Sequence, residues 1–165
     1  LTGQESAESR NVLVEAARIA RGKIRDVREL QAADYDALVI PGGFGAAKNL
    51  SDFAFRGASC AVQPDVLAAA RGFAAAHKPV GLICIAPALA ARIYGAGVQC
   101  TIGNDPDTAA TLADMGAEHV ECAVDDVVVD AQRKLVTTPA YMLAKSLAEA
   151  ASGINKLVDR VLELA

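Results

Sequence analysis

The 165-residue sequence contains no tryptophan, and its aromatic residues make up only 4% of the chain. Hydrophobic residues nevertheless make up 53%, so the core must be aliphatic and alanine-rich, which suits helices packed on a sheet. No apolar run approaches the roughly 18 residues that a transmembrane helix needs, and no signal peptide is visible; no membrane partner is expected. An excess of positive charge is also missing. The formal net charge is −4, which argues against nucleic acid or an anionic lipid surface as a partner. None of the four cysteines, Cys60, Cys84, Cys100 and Cys122, belongs to a C-x-x-C pair. Their spacing fits neither a zinc site nor a dense disulfide framework, and free thiols in a reducing, cytoplasmic compartment follow. No cluster with metal-ligand spacing is present, and no G-x-G-x-x-G or Walker loop. Neither metal nor cofactor is expected.

What the chain does contain is organised around residues 79–87, Pro-Val-Gly-Leu-Ile-Cys-Ile-Ala-Pro. The stretch opens as a buried, uncharged strand and passes directly into a helical run over 88–93. Cys84 therefore falls where a strand ends and a helix begins. Such a turn lifts a side chain out of the sheet and aims backbone N–H groups at it. A thiolate held there meets the positive end of the helix dipole, and Pro87 suits the first turn because its missing N–H would have no partner there. The same stretch also fits a core cysteine packed behind a strand, since cysteine is among the most buried residue types.

Residues 36–40 form the first clear strand, running into Pro41-Gly42-Gly43-Phe44-Gly45. Adjacent glycines after a buried strand permit close backbone approach or positive φ. They can form an anion or oxyanion nest, or simply a turn. Upstream, 11–21 reads as a short helix or an irregular basic segment, 22–27 as a short edge strand and 30–33 as a helical turn. Downstream, 64–76 is a helix, 98–102 a strand, 103–107 a turn with a helix N-cap, and 108–115 a helix closed by Gly116. Short strands follow at 120–123, 127–129 and 135–137, the last two joined by a hairpin turn over 130–134. A long amphipathic region over 142–164 is expected to break near Gly153. This alternation implies a mostly parallel sheet with helices on both faces. Right-handed crossovers then bring Gly42, Gly43, Cys84, Asn104 and Thr138 to one edge, where open α/β sheets bind ligands.

The histidines do not serve Cys84 in this arrangement. His77 precedes the strand that ends at Cys84, and His119 sits between a helix and a strand, so both belong at the opposite edge. Asp105 and Asp107 stand at the correct edge, with helix capping as their simplest role. Thr138 and Tyr141 offer hydroxyls, or turn chemistry and packing. Lys48 adds positive charge near the glycine loop.

Together, PGGFGAAKNLS, GLICIAPALAA, TTPAYM and AEAASGINKLV resemble the ElbB-type branch, associated with isoprenoid biosynthesis, of the ThiJ/PfpI, class I glutamine-amidotransferase-like superfamily. The resemblance covers essentially the whole chain and implies a single domain over 1–165 with a flavodoxin-like three-layer α/β sandwich. It places Cys84 at a nucleophile elbow, with Gly43 and Ile85 offering N–H groups as an oxyanion hole beside Gly42. It implies a glutathione- and cofactor-independent glyoxalase, a lyase or hydratase turning a small dicarbonyl, glyoxal, into glycolate, an activity also described as protein deglycation. A homodimer is compatible with it, because superfamily members often dimerise, and a mitochondrial location would fit a eukaryotic source. Family chains carry a further strand and helix with a glutamate that contacts the cysteine, so relative to them the chain reads as lacking its N-terminal strand and helix. Some members also place a histidine where this chain reads Gly103-Asn104-Asp105, so a hydrolytic Cys–His mechanism is not implied. Two other functions remain open: a stress protein that senses oxidants through Cys84, and a non-catalytic amidotransferase-like interaction module.

Overall fold

The computed structural model describes residues 7–165; residues 1–6 of the polar opening stretch lie outside it. Its helices are α1 (Val12–Ile19), α2 (Gly43–Gly45), α3 (Phe53–Arg56), α4 (Pro64–Ala75), α5 (Ala90–Tyr94), α6 (Pro106–Asp114) and α7 (Leu147–Leu164). The strands are β1 (Leu38–Ile40), β2 (Val80–Ile83), β3 (Gln99–Cys100), β4 (Glu118–His119), β5 (Val128–Asp130) and β6 (Leu135–Thr138). The main sheet has the order β1-β2-β6-β5. Its first three strands are parallel, and β5 joins β6 antiparallel through the expected hairpin. This is a mixed α/β architecture with a mostly parallel sheet.

Every residue of β2 and β6 is buried, as the uncharged composition of both strands requires of a sheet covered on two sides. Their side chains alternate between two cores. Val80, Leu82 and Leu135 face Phe73 of α4 and Leu89; Ile83 and Val136 face Leu157 and Val161 of α7. That period of two assigns helices to opposite faces without further information.

Four expectations are corrected. Residues 22–27 are not an edge strand: Arg21 and Gly22 both have positive φ, and the Asp26 carboxylate instead caps a 3-10 turn over Val27–Glu29. The stretch 98–102 forms only the two-residue β3, which pairs with β4 in a separate small sheet. Side chains replace the ladder that a longer strand would have made. Asp130 Oδ2 accepts from Gln99 N–H at 3.0 Å, Thr137 Oγ1 from Thr101 N–H at 3.0 Å, and His119 Nε2 from Ile102 N–H at 3.3 Å. Pairing on the partner side ends at His119, so 120–123 is not a strand. Finally, α7 does not break at Gly153. A Cβ there would collide with the Val124 carbonyl oxygen and sit 2.8 Å from Thr138 Oγ1; the glycine marks the close approach of the helix to the loop before β5.

Candidate active site

Strand β2 ends at Ile83, and Cys84 follows with φ +63. A left-handed backbone costs a residue with a Cβ about 1–2 kcal/mol, so the surroundings must hold it. The Cys84 N–H donates to the Thr138 carbonyl at 2.9 Å, extending the β2–β6 ladder one step past its last paired residues. Beyond Ile85, a 3-10 turn over Ala86–Leu89, buried at all four positions, leads into α5. The expected helix over 88–93 is therefore divided into a tight turn and a short α-helix. The chain reverses sharply at Cys84, anchored by β6 behind it and the buried turn ahead.

The glycine loop after β1 rests on this elbow. Gly42 has φ +83, and a Cβ on it would collide with the Ile83 carbonyl oxygen, 3.1 Å from Cys84 Cβ and 3.3 Å from Ile85 N. No other residue type fits there. Gly43, also at positive φ, begins α2, while Ile85 stands before the 3-10 turn. Both N–H groups belong to the set that a helix start leaves without an intrahelical partner.

Beside the elbow lies a cavity of about 500 Å³ to which Gly43, Phe44, Phe53, Cys84, Ile85, Tyr141 and Met142 contribute. Cys84 is half-buried. No carboxylate, imidazole or other charged side chain belongs to the described lining. At the rim the Lys48 ammonium sits 5.1 Å from the Phe44 ring centre and 5.7 Å from that of Phe55.

The structure thus brings Gly42, Gly43, Cys84 and Ile85 together and separates two other candidates from the cavity. Thr138 is fully buried; its carbonyl meets Cys84, but its hydroxyl donates to the Asp126 carbonyl at 2.8 Å and packs against α7. Asn104 is exposed and lines a different concavity with Glu121, Cys122 and Leu143, because β3 stands outside the main sheet and carries its loop elsewhere. Asp105 caps α6, its Oδ1 accepting from Thr108 N–H at 2.8 Å, a contact that holds its carboxyl below the usual range. His77 is exposed at the end of α4, and neither it nor His119 reaches the cavity.

Sequence reasoning did not find Phe53 or Met142. Phe53 lies just past the glycine-loop motif and outside it, and Met142 ends a 3-10 turn that starts at Ala140, whose positive φ of 43 has no signature in an alanine. The remaining thiols are set apart chemically. Burial pushes Cys60 up, Cys100 up to about 12, and Cys122 up to about 11.

The sequence pattern of the DJ-1/PfpI family matches residues 18–150. The chain is 46% identical to the rat ES1 protein homolog, mitochondrial, over 95% of its own length and 62% of that protein's. It is 47% identical to the human glutamine amidotransferase-like class 1 domain-containing protein 3, mitochondrial, over 98% of its own length and 64% of that protein's. The chain thus spans somewhat under two thirds of the length of the curated relatives it matches. Among solved structures it is similar to an isoprenoid biosynthesis protein with an amidotransferase-like domain from Ehrlichia chaffeensis, with a TM-score of 0.88 and 36% identity, covering 98% of this chain and 74% of that one.

Proposed function

The chain belongs to the DJ-1/PfpI family, and on that premise we propose that it is a cofactor-independent, glyoxalase-like enzyme acting on 2-oxoaldehydes through Cys84. The observation that carries the reading is the elbow itself. A thiol is held in a left-handed turn at a strand end, half-exposed to a cavity, with the N–H groups of Gly43 and Ile85 at two helix starts beside it.

The thiolate adds to the aldehyde carbon and forms a hemithioacetal, and the resulting oxyanion is met by the two N–H groups, an interaction commonly worth about 3 kcal/mol in the transition state. The proton on that carbon moves to the neighbouring carbonyl carbon, giving a thioester of a 2-hydroxy acid. Water then releases the acid and the thiol. The aldehyde carbon is oxidised while its neighbour is reduced, so no external redox partner enters. The proton transfer needs a base, and none of the described lining residues is a carboxylate or imidazole. The reading assigns the step to an acidic residue of the kind the family resemblance implies, outside that lining. Deglycation would use the same thiol on a carbonyl adduct. The mammalian relatives named above are mitochondrial proteins, which supports that compartment over the cytoplasm.

Glyoxal consumption with glycolate formation, followed by NMR, tests the reading on this chain and on a form extended to the length of its relatives. Cys84→Ala is expected to abolish turnover with an unchanged melting temperature; activity retained in that variant ends the proposal.

A further inference from the structure

The Cys84 cavity is larger and more apolar than glyoxal requires. We propose that it is built for a 2-oxoaldehyde carrying a bulky apolar group, an aryl or branched-alkyl glyoxal, in preference to glyoxal itself. The inference rests on the preceding reading that Cys84 adds to an aldehyde, and it concerns what else occupies the cavity.

Three observations support it. The cavity holds about 500 Å³, within the roughly 300–1,000 Å³ of sites that enclose ligands far larger than glyoxal, which has four non-hydrogen atoms. Its walls are Phe44, Ala47, Phe53, Ala54 and Met142, with the Tyr141 ring. Rings and a thioether favour an aromatic occupant beyond simple area burial. Finally, the described lining has no charged side chain. A charged group on the far part of a substrate, away from the two N–H groups, would lose hydration against these apolar walls without a charged lining side chain to pair with it. The large rings are also poised at the mouth: Phe44 is 77% and Tyr141 57% exposed, and Lys48 lies against the Phe44 ring. A planar apolar group inserted beside Cys84 would take these faces out of water, whereas glyoxal would leave them wet.

For phenylglyoxal the reaction balances with water alone. The C–S bond forms at the aldehyde carbon, that carbon rises to the carboxyl level while the ketone carbon becomes an alcohol, and hydrolysis of the C–S bond yields mandelate and the free thiol.

The test has two arms. In the first, site-resolved mass spectrometry compares alkylation of Cys84 by N-benzyl iodoacetamide and by iodoacetamide, each normalised to glutathione. A preference of about tenfold or more for the benzyl reagent is expected, the scale of burying one large apolar group. Phe44→Ala and Phe53→Ala should each reduce it. Phe44 is exposed, so its variant keeps the test valid if loss of Phe53 disturbs the fold. A normalised ratio of one or below overturns the proposal. The second arm, run on this chain and on the form extended to the length of its relatives, compares kcat/KM for mandelate from phenylglyoxal with that for glycolate from glyoxal, with Cys84→Ala as the blank. A higher value for phenylglyoxal supports the proposal. A higher value for glyoxal overturns it and leaves the glyoxalase reading standing. A benzyl preference with neither substrate turned over overturns the glyoxalase reading, and with it the 2-oxoaldehyde, while keeping an apolar occupant for the cavity.

Discussion

At Cys84, backbone conformation and chemistry pull in opposite directions. The φ of +63 suits glycine, whereas the thiol requires a Cβ. In an ordinary helix or strand a glycine costs about 0.5–1 kcal/mol relative to alanine; at this position the order should vanish or invert. Thermal melts of Cys84→Gly and Cys84→Ala are expected to show the glycine variant at least as stable. An alanine variant ahead by the usual margin would mean the elbow stores no strain. The four thiols should also separate by reactivity. Cys84 is half-buried at the cavity, whereas Cys60 and Cys100 are buried and Cys122 is pushed up to about 11, chiefly by burial and then by Asp126. Peptide mapping after brief alkylation at neutral pH should find label at Cys84 first, at Cys122 slowly, and at Cys60 and Cys100 only on unfolding. Early label at Cys100 would contradict the packing around β3.

Among the elements, the small sheet and the last helix depend on single groups. His119 Nε2 accepts the Ile102 N–H, which requires a neutral ring, and burial holds its pKa below 6.5. Its contribution to stability is therefore complete above about pH 6.5, the unfolded value, and is lost as pH falls through the lower folded value. Urea midpoints between pH 7.5 and 5 should fall more steeply for the native chain than for His119→Asn; parallel curves would rule out this titration as the cause. In α7, Gly153 faces the Val124 carbonyl. Helix propensity alone would reward alanine there by about 1 kcal/mol, but a clash with backbone cannot be relieved by moving a flexible side chain. Gly153→Ala is expected to destabilise by about 1–3 kcal/mol, the range of core overpacking, read as a lowered denaturation midpoint. A raised midpoint would show that the loop before β5 gives way.

For the whole molecule, β2 and β6 form the partition between two cores, so the cores should stand or fall together. Leu82→Ala, on the α4 side, is expected to cost about 2–5 kcal/mol and to lower hydrogen-exchange protection in α7 as well as α4; an α7 unaffected by it would mean two independent units. Much of this partition was legible in the sequence, because buried parallel strands have uncharged runs and the turn over 103–107 carries the helix cap Asp105. The glycine loop and Cys84 were legible because strand ends with glycine or a following proline restrict what the backbone does next. The course of β3 was not: its amide partners are side chains of Asp130, Thr137 and His119, and no local pattern announces acceptors so far along the chain. The aromatic wall escaped for the same reason, since Phe53 and Met142 meet only in three dimensions. The Cys84 N–H bonded to the Thr138 carbonyl has a further consequence for the life of the protein on the ribosome. Synthesis runs from the N-terminus, so the thiol leaves the exit tunnel well before Leu135–Thr138 exist to pair with β2. Until then β1 is available to pair with β2 but β6 is not, and the sulfur meets the cell's oxidants without the carbonyl that anchors its own backbone. The interval between synthesis of Cys84 and of Thr138 is thus a window in which the thiol lacks the backbone anchor that the finished fold supplies.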